Sequence, residues 1–148
     1  MIEPVFRAGE SFPCSPTTSK DEAYRYWVEA PRATYVAVDD ADKLLGIYYI
    51  KPNQPTLGAH VCNCGYIVAE TARGQGVASA MCEHSQAQAV ILGFKAMQYN
   101  LVVCANEAAV HVWQKNGLEI VATLPGAFQH ARLGLVDAYI MYKVLDGA

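Results

Sequence analysis

The stretch Gly65-Tyr-Ile-Val-Ala-Glu-Thr-Ala-Arg-Gly-Gln-Gly-Val-Ala-Ser79 constrains the fold more than any other. A β-type run, Tyr66 to Ala69, leads into a glycine-bearing turn, Arg73 to Gly76, which opens straight into a helix predicted to run to about Leu92. The first N–H groups of a helix have no partner within it, and the helix dipole adds positive potential at the same place. Such a turn binds a pyrophosphate or another anion without a dedicated charged side chain. Gly74 and Gly76 let a ligand come close to the backbone.

Three kinds of phosphate loop can be compared with it. A nucleoside triphosphate loop needs Gly-Lys followed by Ser or Thr, and no lysine lies between Lys51 and Lys95. A dinucleotide fingerprint needs a third glycine or alanine where Ser79 stands and an acidic residue roughly 20 positions on. That region reads Met97, Gln98, Tyr99 and Asn100, without a carboxylate. The third pattern is Gln or Arg, two residues, Gly, one residue, then Gly or Ala, and Arg73, Gly76 and Ala78 match it in full. In this the segment resembles the coenzyme A pyrophosphate loop of the GCN5-related N-acetyltransferase (GNAT) superfamily.

A second signature follows. After Gly93 and a β-type run from Ala96 to Cys104 comes Asn106-Glu-Ala-Ala109-Val-His-Val-Trp113-Gln-Lys-Asn-Gly117-Leu118. Asn106 is a good helix N-cap, Val110, Trp113 and Gln114 follow at helical spacing, and Gly117 is a helix-stopping residue. The order Asn, two residues, Ala, amphipathic helix, aromatic, Gly is similar to that superfamily's second motif. The resemblance spans roughly Ala33 to Leu145. His60 to Gly65 and Leu124 to Phe128 look like features of a small bacterial-type branch.

The resemblance implies an α/β (α+β) acyl-CoA N-acyltransferase fold in residues 1–148 as one domain. Its sheet is mixed and mostly antiparallel, with flanking helices and a central splay between two parallel strands. It also implies acetyl-CoA as cosubstrate and the primary amine of a small molecule as acceptor. Backbone near Ile67 and Val68 is expected to take the pantetheine arm. Arg73, Gly74, Gln75, Gly76, Val77, Ala78 and Ser79 are expected to hold the pyrophosphate, with Asn106 and Trp113 beside the arm. Asn63 and Phe128 lie where acceptor specificity is usually set. Relatives usually carry a strand and helix further upstream, so this chain is expected to start late, without the first strand and with Ile2 to Arg7 as the tail of that helix. Many relatives are homodimers.

Aminolysis of a thioester needs a neutral amine, and an alkyl amine with pKa near 10.4 is only about one part in a thousand neutral at pH 7. Properly placed proton transfer is worth ~10²–10⁴-fold. No carboxylate lies within His60 to Ala69, so the candidate bases are His60, directly or through water, and Asp137 with its neighbour Tyr139. Structural alternatives are a hydrogen-bonded His60 and a solvated Asp137. Many relatives place a tyrosine as acid where this chain has Trp113, whose indole cannot act as an acid. Trp113 is then a tunnel wall or simple core, and Tyr99, Tyr139 or water supplies the proton. Lacking an obvious base, the chain also fits a catalytically weak acyl-CoA sensor.

The remaining sequence sets outer bounds. At 148 residues the chain suits one domain. A net charge of −3 offers no basic face for nucleic acid, and no apolar run approaches the roughly 18 residues of a membrane span. With no basic-then-apolar N-terminus, cytoplasm is the expected compartment. Five cysteines without a Cys-x-x-Cys pair read as reduced thiols. His60, Cys62 and Cys64 lack a fourth metal ligand, so no metal is expected. Val77, Met81, His84, Gln88 and Ile91 are expected to form the buried face of the long helix, with His111 and His130 on the surface or in loops. Ser19 and Glu22 predict a capping box, and Leu124 to Gly134 a loop.

Overall fold

The computed structural model describes residues 1–145; the last three residues of the domain expected from the sequence lie outside them. Helix α1 spans Ile2–Ala8 and α2 spans Lys20–Tyr24. The predicted capping box is present at α2: the Ser19 hydroxyl accepts from the Glu22 N–H at 3.2 Å, and the Glu22 carboxylate accepts from the Ser19 N–H at 2.7 Å. The helix continues as a π-helical turn, Arg25–Glu29, which buries Trp27. Strands β1 (Ala33–Val38), β2 (Leu44–Pro52) and β3 (Val61–Val68) form an antiparallel meander. Helix α3 (Val77–Ile91) crosses to β4 (Ala96–Val103), helix α4 (Glu107–Lys115) follows, and β5 (Glu119–His130) and β6 (Gly134–Val144) close the chain as a hairpin.

The six strands lie in the order β1-β2-β3-β4-β6-β5, with β3 and β4 the parallel pair. Each of those two strands has eight residues, yet only Val61↔Ala96 and Cys62↔Met97 are paired. Beyond Cys62 the strands part. Just past this point the pairing of β4 with β6 shifts register, between Tyr99 and Val102. The expected splay is therefore present.

Two apolar clusters pack on opposite faces of this sheet. Tyr48, Ile50, Cys62 and Cys64 meet Met81, Cys82 and Trp113 on the α3 side. Ile47, Tyr49 and Ile67 meet Phe6 and Trp27 on the α1 side. Residues 2–8 are thus a helix lying on the sheet and not an edge strand.

Two sequence expectations need correction. The face that α3 buries is Met81, Cys82, Ser85 and Ala89, while Ile91 is 74% exposed and His84 is an exposed residue whose Nδ1 lies 2.6 Å from the Tyr48 hydroxyl. Small side chains at Cys82, Ser85 and Ala89 allow close approach to the sheet, so packing selects them over the larger Ile91. Leu124 to His130 is strand and not loop. Pro125 and Gly126 sit in a register shift, where Leu124 faces Ala138 and Phe128 faces Val136. Gly126 takes φ +58 there, so the ladder absorbs the extra residues as a bulge.

Candidate active site

The parting strands open a cleft of about 970 Å³ that passes through the sheet, within the usual range for ligand sites. Its α3 side holds the glycine turn. Gly74 and Gly76 have φ +72 and +80, and a Cβ built at either would meet nothing within 4 Å. The turn is left-handed and open, so a ligand can reach the backbone itself. Gly76 caps α3 with no side-chain cap, leaving the N–H groups of Val77, Ala78 and Ser79 free of helical partners. Arg73, Gly74, Gly76, Val77, Ala78 and Ser79 all line the cleft. Gln75 does not; its amide donates to the Thr71 carbonyl at 3.2 Å.

The strand β3 supplies a free backbone edge. The Ala69 N–H donates to the Leu45 carbonyl and the Asn53 N–H to the Val61 carbonyl, so odd-numbered residues of β3 bond to β2. Backbone groups alternate along a strand. Cys64, Tyr66 and Val68 therefore turn their N–H and C=O groups toward β4, where no strand partner remains past Cys62. Ile67 commits its backbone to β2 and its side chain to the α1-side cluster, while still lining the cleft.

Aromatic rings build the wall between these parts. Trp113 lies 4.7 Å from the Tyr66 ring and 5.3 Å from that of Tyr99, so it is at once core and cleft wall. The Tyr66 hydroxyl lies 2.7 Å from both the Tyr99 and Ser85 hydroxyls, a cluster that the sequence pattern did not reveal. Burial pushes the Tyr66 and Tyr99 phenols well above their ordinary range. Asn106 caps α4 by accepting from the Ala109 N–H at 3.3 Å and also lines the cleft.

The candidate bases stand apart from these groups. His60 is exposed and precedes Val61, at the end of β3 where the strands are still paired. The Asp137 carboxylate accepts from the Gly126 N–H at 2.9 Å, inside the β5 bulge. His60, Asp137, Tyr139 and Phe128 are absent from the cleft wall. Asn63 is present there, buried, with its amide donating to the Gln98 carbonyl at 3.0 Å across the vertex of the splay. His111 and His130 both line the cleft, and His130 is buried, contrary to its expected loop position. Its Nδ1 accepts from the N–H groups of Arg132 and Leu133 at 3.2 Å each, which in the neutral ring assigns the proton to Nε2. The β5 bulge hid this, because Pro125 and Gly126 read as chain-breaking. Among the described residues no group of three or more His, Cys, Asp and Glu is placed to hold a metal ion.

A model of the "Acetyltransferase (GNAT) family" matches residues 6–118, most of the chain and both motif regions. The chain belongs to the GNAT family. The family is one of acetyltransferases. The N-acetyltransferase aca1 of Schizosaccharomyces pombe is 31% identical over 112 residues, 75% of this chain and 54% of that protein. This GNAT chain thus spans about half the length of that curated relative. A GCN5-related N-acetyltransferase from Kribbella flavida superimposes with a TM-score of 0.91 at 36% identity, covering 97% of this chain and 88% of that one. The fold is also shared with yncA of Salmonella typhimurium, solved with its cofactor acetyl-CoA. There the TM-score is 0.83 at 15% identity, over 99% of this chain and 88% of that one.

Proposed function

We propose that this GNAT chain, working as one domain, transfers an acetyl group from acetyl-CoA to the primary amine of a small-molecule acceptor by direct attack. The observation that carries the reading is the uncovered edge of β3, which runs toward an open, left-handed glycine turn at a helix N-terminus. An extended chain bearing amides and ending in phosphates fits that sequence of groups. The thioester supplies the acyl group, and one C–N bond forms as one C–S bond breaks.

The chain's own residues divide the work. The turn from Arg73 to Ser79 binds phosphate through backbone N–H groups. Tyr66 and Val68 offer backbone pairing to an amide-bearing arm. The Val68 N–H, on the free edge, can donate to a developing oxyanion, a contact worth about 3 kcal/mol elsewhere. Trp113 and Tyr66 exclude water from the wall. Among the described residues the one carboxylate of the wall, Glu10, is held by Arg132 at 2.6 Å, which leaves water or the His111 imidazole to take the amine proton. The thiolate can leave unprotonated, since thiols titrate near 8.5.

A catalytically weak acyl-CoA sensor is the alternative, favoured by the distance of His60 and Asp137 from the cleft. Thiol release from acetyl-CoA over a panel of amines separates the two. Turnover of at least one amine supports the transferase, and saturable binding without turnover of any supports the sensor.

A further inference from the structure

Lys51 stands on the cleft wall on the α1 side of the sheet, away from the glycine turn. It pairs in register with Asn63, next to the last joined position of β3 and β4. Its ammonium lies 4.9 Å from the Tyr26 ring centre and 5.1 Å from that of Tyr49. The side chain is half-buried, and no carboxylate among the described residues lies within ion-pair distance of it. Aromatic faces attract a cation, but they do not neutralise it.

Burial lowers the Lys51 pKa, a sign that desolvation strains the charged form. The nearby Cys14 thiol offers no counter-charge, because burial raises its own pKa. An anion delivered by a ligand would offset that desolvation. The rest of the wall agrees in sign. Among the described residues its cations are Lys51, Arg73, Lys115 and Arg132, against the single carboxylate of Glu10, which Arg132 already engages. On the α1 side, where Glu10 is already paired with Arg132, a polycationic acceptor would meet the like charge of Lys51.

We infer that Lys51 is an anion receptor in the acceptor half of the cleft, and that the acceptor is an amine bearing a carboxylate or similar acidic group, of the amino-acid type, and not a polyamine. The amine half of this statement rests on the acetyltransferase reading; the anion half rests on Lys51 and its surroundings alone.

Calorimetric titration of the CoA-loaded protein with standard α-amino acids, the matching decarboxylated amines and spermidine tests it. At least one amino acid is expected to bind about tenfold or more tightly than its decarboxylated counterpart. That preference is expected to disappear in Lys51→Met and return in Lys51→Arg. Retained CoA binding and an unchanged melting temperature show that the variants are folded. The inference is overturned if no amino acid binds, if spermidine or the decarboxylated amines bind as well, or if the preference survives in Lys51→Met. Thiol release is read in parallel. Lys51-dependent binding without turnover would sink the acetyltransferase reading while leaving the anion receptor in place.

Discussion

Asn63 on β3 donates its side-chain amide to the backbone carbonyl of Gln98 on β4 at 3.0 Å, one residue beyond the last paired position of the two strands. A side chain thus continues the ladder where the backbones have begun to separate. The contact lies where the splay starts, at the beginning of the free edge of β3.

Replacing the buried Asn63 by Ala removes this tie and leaves the half-buried Gln98 carbonyl without that donor. The expected cost is about 1–3 kcal/mol of stability, measured by chemical unfolding, together with weaker acetyl-CoA binding. If Asn63 instead acts on the acceptor alone, Asn63→Ala will raise the acceptor KM and leave both stability and acetyl-CoA affinity intact.

Gly76 joins the glycine turn to α3 at φ +80, with open space where a Cβ would project. Gly76→Ala is expected to cost roughly 1–2 kcal/mol from the left-handed backbone. It should also place a methyl group in the path of the pyrophosphate. Acetyl-CoA affinity should fall about tenfold or more, equivalent to ~1.4 kcal/mol, beyond any change in stability. Thermal unfolding and calorimetry on one sample separate the two effects.

Asp137 is an exposed residue whose carboxylate serves the Gly126 N–H. Asp137→Ala should lower stability by about 1 kcal/mol and leave the pH dependence of turnover unchanged. A collapse of kcat with normal stability would return Asp137 to the role of base.

Burial raises the pKa of Tyr48, Tyr49, Tyr66 and Tyr99 above the ordinary tyrosine value. These phenols hold their protons in the fold where an unfolded chain would have lost them. Their contribution is intact below about pH 10 and falls as pH rises past it. Tyrosinate absorbance should show part of the chain's nine tyrosines ionising early and the rest only together with alkaline unfolding. A smooth titration of all nine in the folded protein would contradict this.

The glycine turn was legible in the sequence because its geometry is local: glycines at fixed spacing, with a helix behind them. The Ser19–Glu22 box and the Asn106 cap were legible for the same reason. The splay was available only through family resemblance, since strand partners are non-local. His130 was misjudged because Pro125 and Gly126 look like chain breakers, while the β5 bulge absorbs both and carries His130 to the cleft. Lys51 carried no pattern at all; its place depends on two rings, Tyr26 and Tyr49, brought together from a helical turn and a strand.

The account depends most on the glycine turn and the free edge of β3 acting as one coenzyme site. Calorimetric titration of the purified protein with acetyl-CoA tests it most directly. Saturable binding with one molecule per chain, strongly weakened in Gly76→Ala, is the predicted result. No saturable heat, or an affinity indifferent to Gly76→Ala, would contradict it.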